Sequence, residues 1–229
     1  MTCARRGLVV SFAVCIAIAA KAQDTLVEEK IRYVAIGDSY SIGEGASPNE
    51  SWPAVLTRHL NEKGLRVDLV ANPSRTGWTT KEAIDRELPV FVRARPNFAT
   101  LQIGVNDWVQ GISEETFRKR FALLVDRILG VLASKNRLLI VTIPDFSVTP
   151  AGGRYGHGRD ISEGILRFNQ IIMEEAKRRE LRVVGVFQVS KEMKNDSSLI
   201  AADGLHPSAR EYAEWEKVIF PAALELLAK

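Results

Sequence analysis

Five short apolar runs punctuate the chain, at residues 33–36, 67–71, 99–103, 138–143 and 183–187. They are rich in Val, Ile and Leu and scarcely alternate with polar residues, the pattern of strands covered on both faces. Between them, apolar positions recur at helical spacing, over 52–63, 80–93, 113–134, 161–179 and 208–227. The clearest helix is 113–134. Ser113 stands where an N-cap is needed, Glu114 and Glu115 fill the first turn, and Phe117, Phe121, Leu124, Val125, Ile128, Leu129 and Leu132 form one stripe. Strand and helix alternate five times, which predicts an α/β fold with a parallel sheet between two helical layers. In such folds ligand sites gather at the carboxyl ends of the strands. One long irregular stretch, 144–159, carries Gly152, Gly153, Gly156 and Gly158 after the fourth strand. It is expected on that rim, as a loop over a site.

The start of the chain breaks the alternation. Arg5 and Arg6 precede an apolar stretch at 8–20, and Ala20-Lys21-Ala22 follows. That is the layout of a secretory signal peptide over residues 1–22, with an apolar core too short to span a bilayer. The expectation is one domain over 23–229, exported to a periplasm or secreted, with no stable membrane insertion after cleavage. The chain has 31 basic and 28 acidic residues, and losing Arg5, Arg6 and Lys21 leaves 28 of each. Its basic excess therefore belongs to the leader, and the domain offers no electrostatic footprint for nucleic acid. Cys3 and Cys15 leave with the same segment, so no disulfide is expected and the domain relies on its core.

What stands at the end of each predicted strand carries the chemistry. Gly37-Asp38-Ser39 follows the first, Asn72-Pro73-Ser74-Arg75-Thr76-Gly77-Trp78 the second, and Gly104-Val105-Asn106-Asp107 the third. Beyond the fifth comes Asp203-Gly204-Leu205-His206-Pro207. A serine hydroxyl needs a base to take its proton, and the base works best when a third group orients it. Asp203 and His206, three residues apart around a glycine, suit one turn that holds carboxylate against imidazole and leaves the other ring nitrogen for Ser39. The Ser39 and Gly77 N–H groups and the Asn106 amide are the available oxyanion donors. Singly, each has an ordinary reading: Ser39 as a helix cap, Asn106 and Gly77 as turn residues, His206 as a surface histidine. Together they are complementary parts on one rim.

Of the other histidines, His59 falls in a helix and is expected to be solvated. His157, on the glycine-rich loop, is the reserve base or a substrate contact. Histidines, cysteines and acids show no metal-ligand spacing, and there is no phosphate loop or dinucleotide fingerprint, so no cofactor is expected. The elbow motif of the α/β-hydrolases is absent as well.

In this order the four blocks resemble those of the SGNH hydrolases, also called the GDSL esterase/lipase family, over nearly all of the chain after residue 22. Gly37-Asp38-Ser39 matches the first block, with Tyr40 where leucine is usual. Gly77 matches the second, Gly104-Val105-Asn106-Asp107 the third, and Asp203 with His206 the last. The resemblance implies a flavodoxin-like, three-layer α/β/α fold with a five-stranded parallel sheet, and cofactor-free ester hydrolysis through an acyl-serine. It leaves the substrate open among lysophospholipids, thioesters, aryl esters and carbohydrate acetyl esters. Trp78 and Trp108, directly after oxyanion blocks, have two readings: lining an acyl or sugar pocket, or packing beneath the loops. Arg75, Arg154 and Arg159 are either anion contacts or solvated loop residues. With no large insertion to form a lid, small or short-chain esters are expected. An acyltransferase on the same site and a non-catalytic ligand-binding domain are the alternatives.

Overall fold

The computed structural model describes residues 30–228; the predicted leader lies outside them. Five strands form one parallel sheet in the order β2-β1-β3-β4-β5, the flavodoxin-like order. They are β1 (Ile31–Gly37), β2 (Val67–Ala71), β3 (Phe98–Gln102), β4 (Leu138–Val141) and β5 (Arg182–Val184). Among the described residues the α-helical segments are α1 (Ser39–Ile42), α2 (Trp52–Glu62), α3 (Thr80–Glu82), α4 (Leu88–Ala94), α5 (Val105–Val109), α6 (Glu114–Leu129), α7 (Ile161–Arg178) and α8 (Ala209–Leu227). Helices α2 and α8 pack together on one face of the sheet, and α4, α6 and α7 cover the other.

Burial follows strand position. Every residue of β3 and β4 is buried, as sheet neighbours and both helical layers require. The edge strands β2 and β5 are mostly half-exposed. On α6, Phe117, Phe121, Leu124, Val125 and Ile128 are buried along one stripe. Each such side chain contributes about 1.5–3 kcal/mol on leaving water. Phe117 stacks on Phe168 of α7 with ring centroids 4.4 Å apart, locking the two helices together.

Several boundaries differ from the sequence pattern, among them the fifth strand, expected over 183–187 and found at Arg182–Val184. The fourth strand was expected to reach residue 143 but ends at Val141. Asn169 of α7 takes over there, accepting the Ile143 N–H and donating to the Ile143 carbonyl, both at 2.8 Å. Helix α6 stops at Leu129, short of the predicted 134, because Gly130 follows. Most consequential, the predicted helix 80–93 is not continuous. Between α3 and α4 it widens into a π turn, Ala83–Glu87, closed by the Leu88 N–H on the Ala83 carbonyl. Pro89 is the cause: it has no N–H, and its ring crowds the carbonyl four residues back. Among the described residues, no helix is long and apolar enough to cross a membrane.

Candidate active site

All four sequence blocks lie at the carboxyl end of the sheet. β1 hands over to α1 at Gly37, where a Cβ would stand 2.2 Å from Ser41 Oγ and 2.3 Å from the Gln102 carbonyl. Only glycine fits that approach. Asp38 is the N-cap of α1, its Oδ1 accepting the Tyr40 N–H at 3.0 Å. Ser39 opens the helix behind that cap, and its hydroxyl, only 4 % of the residue being exposed, is therefore not spent on capping.

Two further loops are tied together beside it. Gly77 has φ +82, and a Cβ there would enter open space; backbone conformation, not crowding, demands glycine. The Asn106 amide donates one N–H to the Trp78 carbonyl at 2.9 Å, which holds the amide and leaves its other N–H available. Next to it, Asp107 is wholly buried. It accepts the Thr80 N–H at 2.8 Å and the Thr80 hydroxyl at 2.5 Å. Burial pushes the Asp107 carboxyl up, against the pull of those two bonds. Asp107 thus pins the third block to the second, a part that sequence reading missed. Its place beside Asn106 was the available clue.

The last block builds itself from neighbours in sequence. Asp203 Oδ2 lies 2.6 Å from His206 Nδ1, and Oδ1 accepts the N–H groups of Leu205 and His206 at 2.8 and 2.9 Å. Facing a carboxylate, Nδ1 is the nitrogen that carries the proton, which leaves Nε2 as an acceptor. Partial burial opposes the Asp203 charge, yet His206 and the two N–H groups outweigh it and hold the carboxyl below its ordinary value. The loop after β4 braces this turn through the Ala151 N–H on the Gly204 carbonyl at 2.9 Å.

Ser39, His206, Gly77 and Asn106 line one cavity of about 150 Å³. Its apolar wall comes from Val105 and Leu205, inside the third and last blocks, and from Val109, Phe146 and Tyr155, which no motif marked out. Tyr155 and Phe146 belong to the irregular stretch 144–159, which is pinned to the rim rather than free of it. A larger groove of about 580 Å³ between α4 and α6 is lined by Ile84, Leu88, Val92 and Leu123 and holds none of these groups.

The predicted substrate contacts Trp78, Trp108 and His157 do not line the cavity. Trp108 is buried, edge-on to Phe146 and pressed against Gly164, where a Cβ would stand 1.9 Å from its indole nitrogen. Trp78 is half-buried, with the Arg75 guanidinium 5.8 Å over its ring. His157 is exposed at φ +50. Arg159 is no anion contact: it stacks on Trp108 at 4.1 Å and donates to the carbonyls of Trp108 and Val109. His59, expected in solvent, is paired with the buried Glu216 at 2.9 Å.

Comparison with known proteins gives this geometry its relatives. The family model described as GDSL-like lipase/acylhydrolase matches residues 35–213. Esterase TesA of Pseudomonas aeruginosa is 22% identical over 194 residues, covering 85% of this chain and 88% of that protein. The thioesterase 1/protease 1/lysophospholipase L1 of Escherichia coli K12 is 27% identical over 201 residues, covering 86% and 82%. In structure, the lipase/acylhydrolase from Enterococcus faecalis superposes with a TM-score of 0.70 at 20% identity, over 85% of this chain and 96% of that one. A family 3 carbohydrate esterase from Clostridium thermocellum gives 0.69 at 19% identity, over 87% and 98%. Those two likenesses speak to the shared fold. The chain belongs to the GDSL-like lipase/acylhydrolase family, the SGNH hydrolases, and is a hydrolase of ester bonds.

Proposed function

We propose that the chain is an exported serine esterase for small or short-chain acyl esters, with Ser39 as nucleophile. The observation that supports it best is the Asp203–His206 pair, 2.6 Å apart, on a cavity that also takes in Ser39, Gly77 and Asn106. In this reading His206 Nε2 takes the Ser39 proton as Oγ attacks the ester carbonyl carbon. Asp203 keeps the ring in the required tautomer and stabilises the imidazolium. The N–H groups of Ser39 and Gly77 and the free Asn106 N–H receive the oxyanion. His206 returns the proton to the leaving alcohol as its C–O bond breaks, leaving an acyl-serine. Water then attacks that ester with His206 again as base, and releases the acid and Ser39.

The short-chain assignment rests on size. Sites for drug-sized ligands run to about 300–1,000 Å³, and the cavity beside Ser39 is about 150 Å³. Its apolar wall suits an acyl group of a few carbons. Export rests on the leader layout of residues 1–22.

Hydrolysis of p-nitrophenyl esters from acetate to palmitate, by wild type beside Ser39→Ala, tests the reading. The expected profile peaks at the short acyl end, and Ser39→Ala loses on the order of 10⁶ of turnover. A peak at palmitate would reject the short-chain assignment. No turnover, together with no fluorophosphonate label on Ser39, would reject the serine mechanism. Protein recovered from outside the cytoplasm is expected to begin at Gln23; retention of residues 1–22 would reject the leader.

A further inference from the structure

Beneath the nucleophile turn lies a buried acid that this mechanism does not use. Glu87 is wholly buried, and its Oε2 accepts the Gly37 N–H at 3.0 Å. Gly37 ends β1, one residue before the cap Asp38 and two before Ser39. Towards β3, pairing of β1 runs on to Gly37, opposite Gln102. Towards β2, pairing ends at Val34. Among the described residues no strand stands on that side to receive the Gly37 N–H, and a buried donor must find a partner somewhere. Glu87 supplies it from the covering helical segment.

The π turn is what ends at Glu87. A π turn holds one more residue than an α turn between its bonded groups, so side chains at its end are turned away from the direction an uninterrupted α-helix would give them. Of the acids along the segment, Asp85 is exposed and Glu82 half-buried, whereas Glu87 enters the core. The groups around it are Asp38 on the nucleophile turn and Ser74 on the loop after β2, with Asp107 beyond Asp38. None is a cation. Burial, reinforced by Asp38, pushes the Glu87 carboxyl up to about 8. At neutral pH it sits as a neutral acid, whose carboxyl oxygen accepts the amide hydrogen bond without repelling Asp38.

We propose that Glu87 is a positioning residue: by holding the Gly37 N–H where the sheet offers no acceptor, it sets the height of the turn that presents Ser39. It acts on Ser39 through that N–H. The assignment rests on Ser39 being the nucleophile.

The test is the rate of fluorophosphonate labelling of Ser39 in wild type, Glu87→Asp and Glu87→Gln, measured over a range of probe concentration. Aspartate is one methylene short of the Gly37 N–H. Its maximal labelling rate is expected to fall about 10- to 100-fold, the scale of a nucleophile misplaced by an ångström or less. The probe concentration giving half the maximal rate should not move. Glutamine reaches the same N–H with its amide oxygen and should restore the rate to within about 3-fold of wild type. Glu87→Asp labelling at the wild-type rate overturns the assignment, as does Glu87→Gln falling as far as Glu87→Asp. Failure of both variants to fold also overturns it, because Glu87 would then be a folding residue. Wild type that takes no label at Ser39 overturns the serine reading itself.

Discussion

The two halves of the proposed machinery are built by opposite means. The nucleophile turn is sunk in the fold: Asp38, Ser39 and Glu87 are all buried, and the Gly37 N–H just before it is held by Glu87, distant in sequence. The base turn is nearly at the surface, with the Asp203 side chain 43 % exposed, and every bond that shapes its carboxylate comes from within three residues. Their electrostatics differ in sign accordingly. Burial raises the Asp38 and Glu87 carboxyls to about 8, whereas hydrogen bonding lowers Asp203 in spite of partial burial. A poorly solvated turn with raised acids gives a rigid place for an attacking oxygen. A solvated turn with an ionised acid gives an imidazole that can take a proton and return it.

If that contrast holds, the two halves should respond differently to removal of one group. Asp203→Asn should cost about 10⁴-fold in turnover through the wrong tautomer of His206 while leaving the melting temperature nearly unchanged. A comparable loss of thermal stability would show that the base turn is not local. On the other half, Asp107→Ala removes the acceptors of the buried Thr80 N–H and hydroxyl. It should destabilise by roughly 1–3 kcal/mol, read by denaturant unfolding, and reduce turnover as Asn106 loses its anchored neighbour. Unchanged stability would break the claim that tertiary packing holds this half.

A dependence on pH should follow as well. The folded state keeps protons on Asp38 and Glu87 up to about 8, while the unfolded chain releases them near the ordinary carboxylate range. The folded form therefore binds more protons between those limits, and stability falls as pH rises from about 5 to 8. Asp203, held low, contributes the reverse: stability present above the ordinary carboxylate value and lost as pH drops through its lowered one. Thermal unfolding of wild type and Glu87→Gln at pH 5 and pH 8 separates these, since the variant should lose less over that interval. Equal losses in both proteins would mean that Glu87 does not titrate there.

Legibility in the sequence followed the range of the interactions involved. The base turn could be read directly, because Asp203 and His206 are three residues apart and one turn joins them. β2 coincides with its predicted run at Val67–Ala71, since an apolar stretch bounded by turn residues leaves little choice. Trp108 was ambiguous, because a tryptophan after an oxyanion block suits a pocket or a core equally. Gly164, a single residue on α7, is what opens the space beneath it. Most of the cavity wall was invisible for the same reason: Val109 on α5 and Phe146 and Tyr155 in the stretch 144–159 meet only in the folded chain and share no spacing.

From residue order alone came the alternation of strand and helix, the four motif blocks and their order, and the pairing inside the base turn. Those features depend on backbone preference, side-chain periodicity and contacts a few residues long. Tertiary structure decided where β1 loses its neighbour, why a helix broken ahead of Pro89 delivers Glu87 to Gly37, and how little room remains beside Ser39. Each of these depends on which distant groups are left without a partner once the chain is packed, a quantity that exists only when the elements have met.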